Sequence, residues 1–381
     1  MKSYYFDNAA TSWPKPPSVM KAMKRHLVHV GGNPGRSGHF RAVEAGRVLL
    51  SARISLASLF GIRESERIVF TKNATEALNM VISGILHPGD HAVCTSMEHN
   101  AVMRPLTALK ERGVQVSVVR ADQQGRVDPA AVGRKITRST KLVISTHASN
   151  VTGTILDISS IGGICREKGV SFLVDAAQTA GVLPIDVDRM CVDFLAFSGH
   201  KGLLGPQGTG GLYIGSDVLA EPLLRGGTGS RSESEIQPEF LPDRFESGTP
   251  NTVGIAGLCS GIEFLQGFEL ERVLEHDDRL LQILLNELSS ERRLIAYGPG
   301  ESGSQTGVLS ITIEGISPSK IGETLEAEYG VQTRIGLHCA PSAHRTIGTF
   351  PDGTVRLSWG VFTREREVIH VARAVKRICA R

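Results

Sequence analysis

Between residues 67 and 214 the chain repeats one pattern: a short apolar run, a polar or glycine-rich joint, then a stretch with helical periodicity. The runs at 67–71, 91–95, 114–119, 141–146, 171–174, 192–197 and 211–214 have strand length, and several are apolar throughout. A strand apolar at every position must be covered on both faces, whereas a half-exposed strand would alternate. Helical segments intervene at 73–86, 100–112, 129–135 and 158–168. In the first of these Ala77, Met80, Val81 and Ile85 share one face. Strands alternating with helices predict an α/β fold with a mainly parallel, seven-stranded sheet between helical layers. Ligands of such sheets sit beyond the carboxyl ends of the strands. The polar residues that follow each run are therefore where chemistry is expected.

The flanks differ from this middle. Residues 4–11 lead into Pro14, Pro16 and Pro17 and read as an extended arm before a first helix. The glycine-rich stretch 31–39 is a loop, followed by a helix over 41–60. Past Gly215 the character changes, and from Gly226 a long polar, proline-containing loop runs to Pro250. Then come a helical region at 253–289, a strand at 307–313, a helix at 319–329, a strand at 354–358 and a helix at 364–378. This tail predicts a smaller C-terminal α+β domain. The expected division is a large domain over 16–252 and a small one combining 1–15 with 253–381, and 381 residues suit two domains.

Charge and composition exclude several classes. The 42 basic side chains exceed the 39 acidic ones without any Lys/Arg block, so nucleic acid is not an expected partner. No apolar run approaches the ~18 residues that span a bilayer. Asp7 and Asn8 interrupt the only early apolar stretch, so a soluble, cytoplasmic protein is expected. The six cysteines are scattered without a CxxC pair, which argues against a disulfide framework or a zinc site.

Five strand-end or loop motifs surround one unusual lysine. Lys201 lies in Ser198-Gly199-His200-Lys201-Gly202, among small residues just past a buried run. A desolvated lysine amine suits Schiff-base chemistry, although alone this stretch also reads as a glycine turn with an exposed lysine. Thr71-Lys72-Asn73-Ala74-Thr75-Glu76 opens a helix and offers an anion site or a simple N-cap. His99 follows a strand and suits either stacking on a planar ring or a polar loop. Asn150 lies in His147-Ala148-Ser149-Asn150, at another strand end. Asp175 closes an apolar strand, where a carboxylate needs a cation, a donor or a helix to cap. Arg334-Ile335-Gly336-Leu337-His338-Cys339-Ala340-Pro341 places a cysteine between basic residues on a glycine- and proline-bounded loop, with Arg356 in a strand beyond. Such a thiol is either reactive or an ordinary core cysteine.

Together these motifs resemble the fold-type I pyridoxal-phosphate enzymes of the class V aminotransferase family. Within it they are most similar to the group II cysteine desulfurases and the related selenocysteine lyases. The resemblance runs from Phe6-Asp7-Asn8-Ala9-Ala10-Thr11 to the Arg356 strand. It implies that Lys201 carries pyridoxal 5'-phosphate as a Schiff base, that Asp175 pairs with the ring nitrogen, and that Gln178 bonds the ring's phenolic oxygen. It implies that His99 stacks on the ring and that Thr75, Ser198 and His200 hold the phosphate. Thr249 would join them from the partner subunit of a homodimer. Asn150 and Arg356 would bind the substrate carboxylate, with Arg36, His39 and Arg334 lining the substrate side. Cys339 would accept sulfur from L-cysteine as a persulfide, leaving L-alanine, and pass it on to an acceptor protein. L-Selenocysteine is the alternative substrate, and an aminotransferase, epimerase or lyase of the same family is the alternative activity. The sequence departs from the group II pattern at Gly226-Gly227-Thr228-Gly229-Ser230 and at Asn73-Ala74, the start of the phosphate loop.

Overall fold

A computed structural model describes residues 2–35, 38–215, 220–268 and 270–381. The chain begins with β1 (Tyr4–Tyr5), α1 (Pro17–Arg25), which runs on as a π turn over His26–Val30, and α2 (Phe40–Phe60). The expected alternation follows as β2 (Ile68–Thr71), α3 (Ala74–Ile85), β3 (His91–Thr95), α4 (Asn100–Lys110), β4 (Gln115–Val119) and α5 (Pro129–Lys135). It continues through β5 (Thr140–Thr146), α6 (Ile158–Glu167), β6 (Ser171–Asp175), β7 (Phe194–Ser198) and β8 (Gly210–Ile214).

These strands form one seven-stranded sheet in the order β2-β8-β7-β6-β5-β3-β4. β4, β3, β5, β6 and β7 pair in parallel, and β8 runs antiparallel to both of its neighbours. β3, β7 and β8 are buried at every position, as strands apolar on both faces must be. Alternate residues serve opposite layers. Val93, Val143, Phe172 and Leu195 face a core with Leu56, Phe60, Val132 and Ile161. Ala92, Leu142, Leu173 and Phe194 face the other core, with Leu78, Val81, Val102 and Leu106. From β3 the chain steps outward to β4, then returns to lay β5 on the other side of β3. That reversal opens a crevice at the carboxyl ends of β3 and β5.

The tail supplies α7 (Thr252–Gln266), α8 (Leu270–Leu288), β9 (Leu294–Tyr297), β10 (Val308–Ile313), α9 (Pro318–Tyr329) and β11 (Val331–Gln332). β12 (Arg334–Gly336), α10 (Pro341–Ile347), β13 (Thr354–Ser358) and α11 (Glu365–Cys379) complete it. A second, antiparallel sheet runs β12-β13-β10-β9. Its Leu309, Ile311, Val355 and Leu357 pack with Leu284, Leu325, Val371 and Val375 of the helices. The arm joins this part through the parallel pairing of β1 with β11. The helical region expected at 253–289 is two helices set at 80°. α7 stops at Gly267, a residue with little helix propensity. It packs on α1 and α2 and adds Leu258, Ile262 and Leu265 to the core beneath the large sheet. Among the described residues no single helix is long and apolar enough to cross a membrane.

Candidate active site

β7 ends at Ser198, and the chain turns sharply into Lys201. A Cβ on Gly199 would lie 2.3 Å from Thr209 Oγ1, and one on Gly202 would lie 2.5 Å from the Ala180 carbonyl oxygen, so only glycine fits either position. The turn closes through Leu204 N–H to Lys201 O at 2.9 Å and Gly205 N–H to Gly199 O at 2.8 Å. The N-terminal arm clamps it from outside. The His200 carbonyl accepts from Ser12 N–H at 3.1 Å, the Thr11 hydroxyl at 3.1 Å and Lys15 Nζ at 2.7 Å. The Ser12 hydroxyl donates to the Lys201 carbonyl at 2.8 Å.

Lys201 shares a cleft with Thr75, His99, Asn150, Asp175, Gln178 and Ser198. Burial pulls its ammonium down to about 8, against the attraction of Asp175 and with repulsion from Arg356 and Arg334 added. An amine in that range has an appreciable neutral, nucleophilic fraction near pH 7. Asp175 is buried, and burial raises its pKa while the Ala177 N–H and Lys201 pull it back. Its Oδ1 accepts from that N–H at 2.9 Å, so the carboxylate also closes the turn after β6.

His99 is both the N-cap of α4 and a cleft wall. Its Nδ1 accepts from Ala101 N–H at 3.0 Å, which leaves the proton on Nε2. Burial, then Lys201 and Arg334, push its pKa down to about 4, so the ring is neutral and fixed. At the start of α3, Asn73 Oδ1 accepts from Glu76 N–H at 3.0 Å and Ser198 Oγ accepts from Ala74 N–H at 3.1 Å. Thr75 stands between those two positions. Gln178 Nε2 donates to the Ala9 carbonyl at 3.1 Å. His200 Nδ1 is buried with no partner among the described residues, and burial lowers its pKa to about 4.

Asn150 and Arg356 belong to a second cluster that touches the first. Arg356 is 1% exposed; its Nη2 meets Asp7 Oδ1 at 2.7 Å and its Nη1 donates to the Asn150 carbonyl at 2.9 Å. Arg334 stands opposite Arg356 across β12 and β13. Its Nη2 lies 3.8 Å from Cys339 Sγ. Cys339 is exposed, so the core-cysteine alternative falls. Its carbonyl accepts from Asn100 N–H at the start of α4 at 2.8 Å, which ties the cysteine loop to the residue after His99.

Three expected residues are not gathered here. Thr249 lines a different groove, with Arg53, Phe70, Lys72 and Glu76. His39 is an exposed N-cap of α2, bonded to Ala42 N–H at 3.3 Å. Arg36 lies outside the described residues. The sequence reading gave no role to Asp7, Ser12 and Lys15, which brace the site from the arm. Their signal was polar side chains in an arm that otherwise reads as an extended, proline-bounded lead. Glu98 was also missed. It is fully buried beside His99, accepts from the Thr95 hydroxyl and Thr146 N–H on Oε1, and is raised by burial to about 8.

Comparisons with known proteins bear on this arrangement. A probable cysteine desulfurase of Methanothermobacter thermautotrophicus is 36% identical over 374 residues, covering 97% of this chain and 93% of the relative. The cysteine desulfurase of Haloferax volcanii is 33% identical over 97% of this chain and 88% of its own. The apo structure of cysteine desulfurase from Thermococcus onnurineus NA1 superposes with a TM-score of 0.93 at 32% identity, over 99% of this chain and 95% of that one. The fold is thus that of fold-type I pyridoxal-phosphate enzymes. The model of the aminotransferase class-V family matches residues 4–371, from the arm that braces Lys201 to the helix after Arg356, and the chain belongs to that family.

Proposed function

We propose that this protein is a pyridoxal-phosphate-dependent cysteine desulfurase that converts L-cysteine to L-alanine and takes the sulfur on Cys339. The observation that carries the reading is a depressed lysine amine and a buried carboxylate in one cleft, Lys201 and Asp175. The donor set fits the cofactor. Lys201 offers the amine for its aldehyde, and Asp175 offers a carboxylate for a protonated ring nitrogen. His99 presents a fixed neutral ring, Gln178 an amide, and the α3 N-terminus with Thr75, Ser198 and His200 a phosphate cradle. When bound, pyridoxal phosphate supplies an electron sink for the carbon that bears the substrate's amino group.

The remaining steps fall to the chain's own groups. Arg356 and Asn150 orient the substrate carboxylate. Lys201, freed as an amine, takes the proton from that carbon and later returns one to the product. The Cys339 thiolate forms an S–S bond to the substrate sulfur as the substrate's C–S bond breaks. The electron pair of that bond ends, with a proton, on the carbon that becomes the alanine methyl group. Arg334 is a donor positioned for the sulfur while it carries charge. A thiol reductant or an acceptor protein then removes the persulfide sulfur.

We also propose a homodimer in which Thr249 completes the partner's site. The apolar stripe Phe40, Val43, Leu50 and Ile54, exposed along α2, supports this. Sedimentation at micromolar concentration gives a dimer if the proposal holds, and a monomer ends it. For the activity, the test is Cys339→Ser reconstituted with pyridoxal phosphate. It should keep the yellow absorbance of the Lys201 linkage and lose alanine formation from L-cysteine. Full desulfuration by this variant removes Cys339 from the reaction. Selenocysteine turnover that persists in it, without cysteine turnover in the wild type, makes the protein a lyase instead.

A further inference from the structure

His338 and Cys339 both have left-handed backbones, at φ 49° and 58°. Neither is glycine, and two such residues in succession persist only where the surroundings impose them. Three bonds from other parts of the chain do so. Asn150 Nδ2 donates to the His338 carbonyl at 2.8 Å, Asn100 N–H donates to the Cys339 carbonyl at 2.8 Å, and His338 Nε2 meets Thr354 Oγ1 at 3.0 Å.

The third bond fixes a protonation state. The Ser310 hydroxyl donates to the Val151 carbonyl at 2.6 Å, and the Thr354 hydroxyl donates to Ser310 Oγ at 3.0 Å. Both hydroxyl protons are thereby committed, so Thr354 Oγ1 must accept from His338. The imidazole carries its proton on Nε2, and Nδ1 is a buried lone pair with no partner among the described residues. Burial, with Arg356, His344 and Arg334 nearby, drives its pKa far below the usual histidine range. A ring so reluctant to accept a proton is unsuited to deprotonate its neighbour, although sequence adjacency to a cysteine invites that role.

We propose that His338 is a positioning residue: its Nε2–H, anchored through Thr354 and Ser310 to the Val151 carbonyl, holds the backbone of Cys339 in the left-handed turn that presents the thiol. This rests on Cys339 being the sulfur acceptor. The chain of bonds runs from the cysteine loop to the segment after β5, so it registers one sheet against the other.

The test compares His338→Gln, which keeps an N–H donor at similar reach, with His338→Phe and His338→Gly, which do not. Expected are a fall of about tenfold or more in kcat for Phe and Gly, a KM for L-cysteine within about threefold of wild type, and recovery of most of kcat by Gln. In the cofactor-free protein, hydrogen exchange at the Asn100 amide should quicken in the Phe and Gly variants and stay slow in Gln. Thr354→Val removes the acceptor without touching the loop and should behave like Phe, which covers the case of a Phe variant that does not fold. Full kcat in the Gly variant overturns the proposal, because backbone freedom alone would then suffice. So does a Gln variant as impaired as Phe. Failure of the acceptor reading looks different: there Cys339→Ser itself retains desulfuration.

Discussion

The Lys201 turn and the Cys339 loop are built in opposite ways. Lys201 leaves a parallel sheet at a strand end, in a turn whose bonds are short-range or come from the adjacent arm. Cys339 sits between β12, three residues long, and α10, seven long, on a backbone that needs contacts from residues 100, 150 and 354. Steric necessity shapes the first, through glycines and closed turns. Long-range bonds shape the second, and the sulfur is left exposed. On the proposed roles, Lys201 gains from a fixed position, whereas the Cys339 sulfur must face first the cleft and then a partner or reductant. The difference teaches that one group is fixed by local sterics and the other by distant hydrogen bonds that hold its backbone and leave its sulfur free.

The largest expected effect is at the rigid end. Lys201→Ala should abolish desulfuration and leave no borohydride-reducible linkage to pyridoxal phosphate, while cysteine alkylation at residue 339 continues as in the wild type. If alkylation collapses too, the two regions are not structurally independent.

Next comes the bridge between them. Asp7 pairs with Arg356, whose side chain is 1% exposed. Removing one member of such a pair leaves a buried charge alone, at a cost of about 3 kcal/mol. Asp7→Asn should lower the urea midpoint accordingly and raise KM for L-cysteine more than it lowers kcat. An unchanged midpoint would show that the Asn150 carbonyl suffices for Arg356.

Acid sharpens the comparison further. His99, His147 and His200, all near the Lys201 cleft or its strand ends, have pKa values lowered to about 4 by burial. The unfolded chain takes protons near the ordinary value of about 6.5. As pH falls, the unfolded state therefore binds protons first, and stability declines from about pH 6.5 to about 4. Denaturation of the cofactor-free protein across that range should show the decline, and His99→Gln should flatten part of it.

The smallest effect on activity is at Glu98. Its pKa of about 8 against an unfolded value near 4.5 means the unfolded chain loses its proton first as pH rises. Glu98 alone then subtracts stability as pH rises between those two values, so Glu98→Gln, which cannot ionise, should match wild type near pH 4 and exceed it by a growing margin up to pH 8. Activity at neutral pH should stay within about twofold, because the native residue is already neutral there.

What the sequence made legible follows the same divide. Strand ends such as Ser198 and Asp175 stand out because a polar residue closing an apolar run has few reasons to be there. The three-residue β12 and seven-residue α10 are too short for any periodicity to register, so the loop around Cys339 was readable as a motif and not as a structure. The Asp7–Arg356 pair joins residues 349 positions apart, and no local pattern encodes it. The break at Gly267 hid inside a run of good helix formers on either side. Thr249, readable as a phosphate ligand only through its resemblance, stands in another groove of its own chain.

The arm has one more consequence, in the order of synthesis. Residues 4 and 5 pair with 331 and 332, and Asp7 waits for a partner at 356. Residues 4, 5 and 7 can take their places only after their partners more than three hundred positions further on have been made. A growing chain can therefore complete its large sheet well before it can grip an amino acid. On the proposed roles, the substrate side is completed late in folding, when residues 349 positions apart meet.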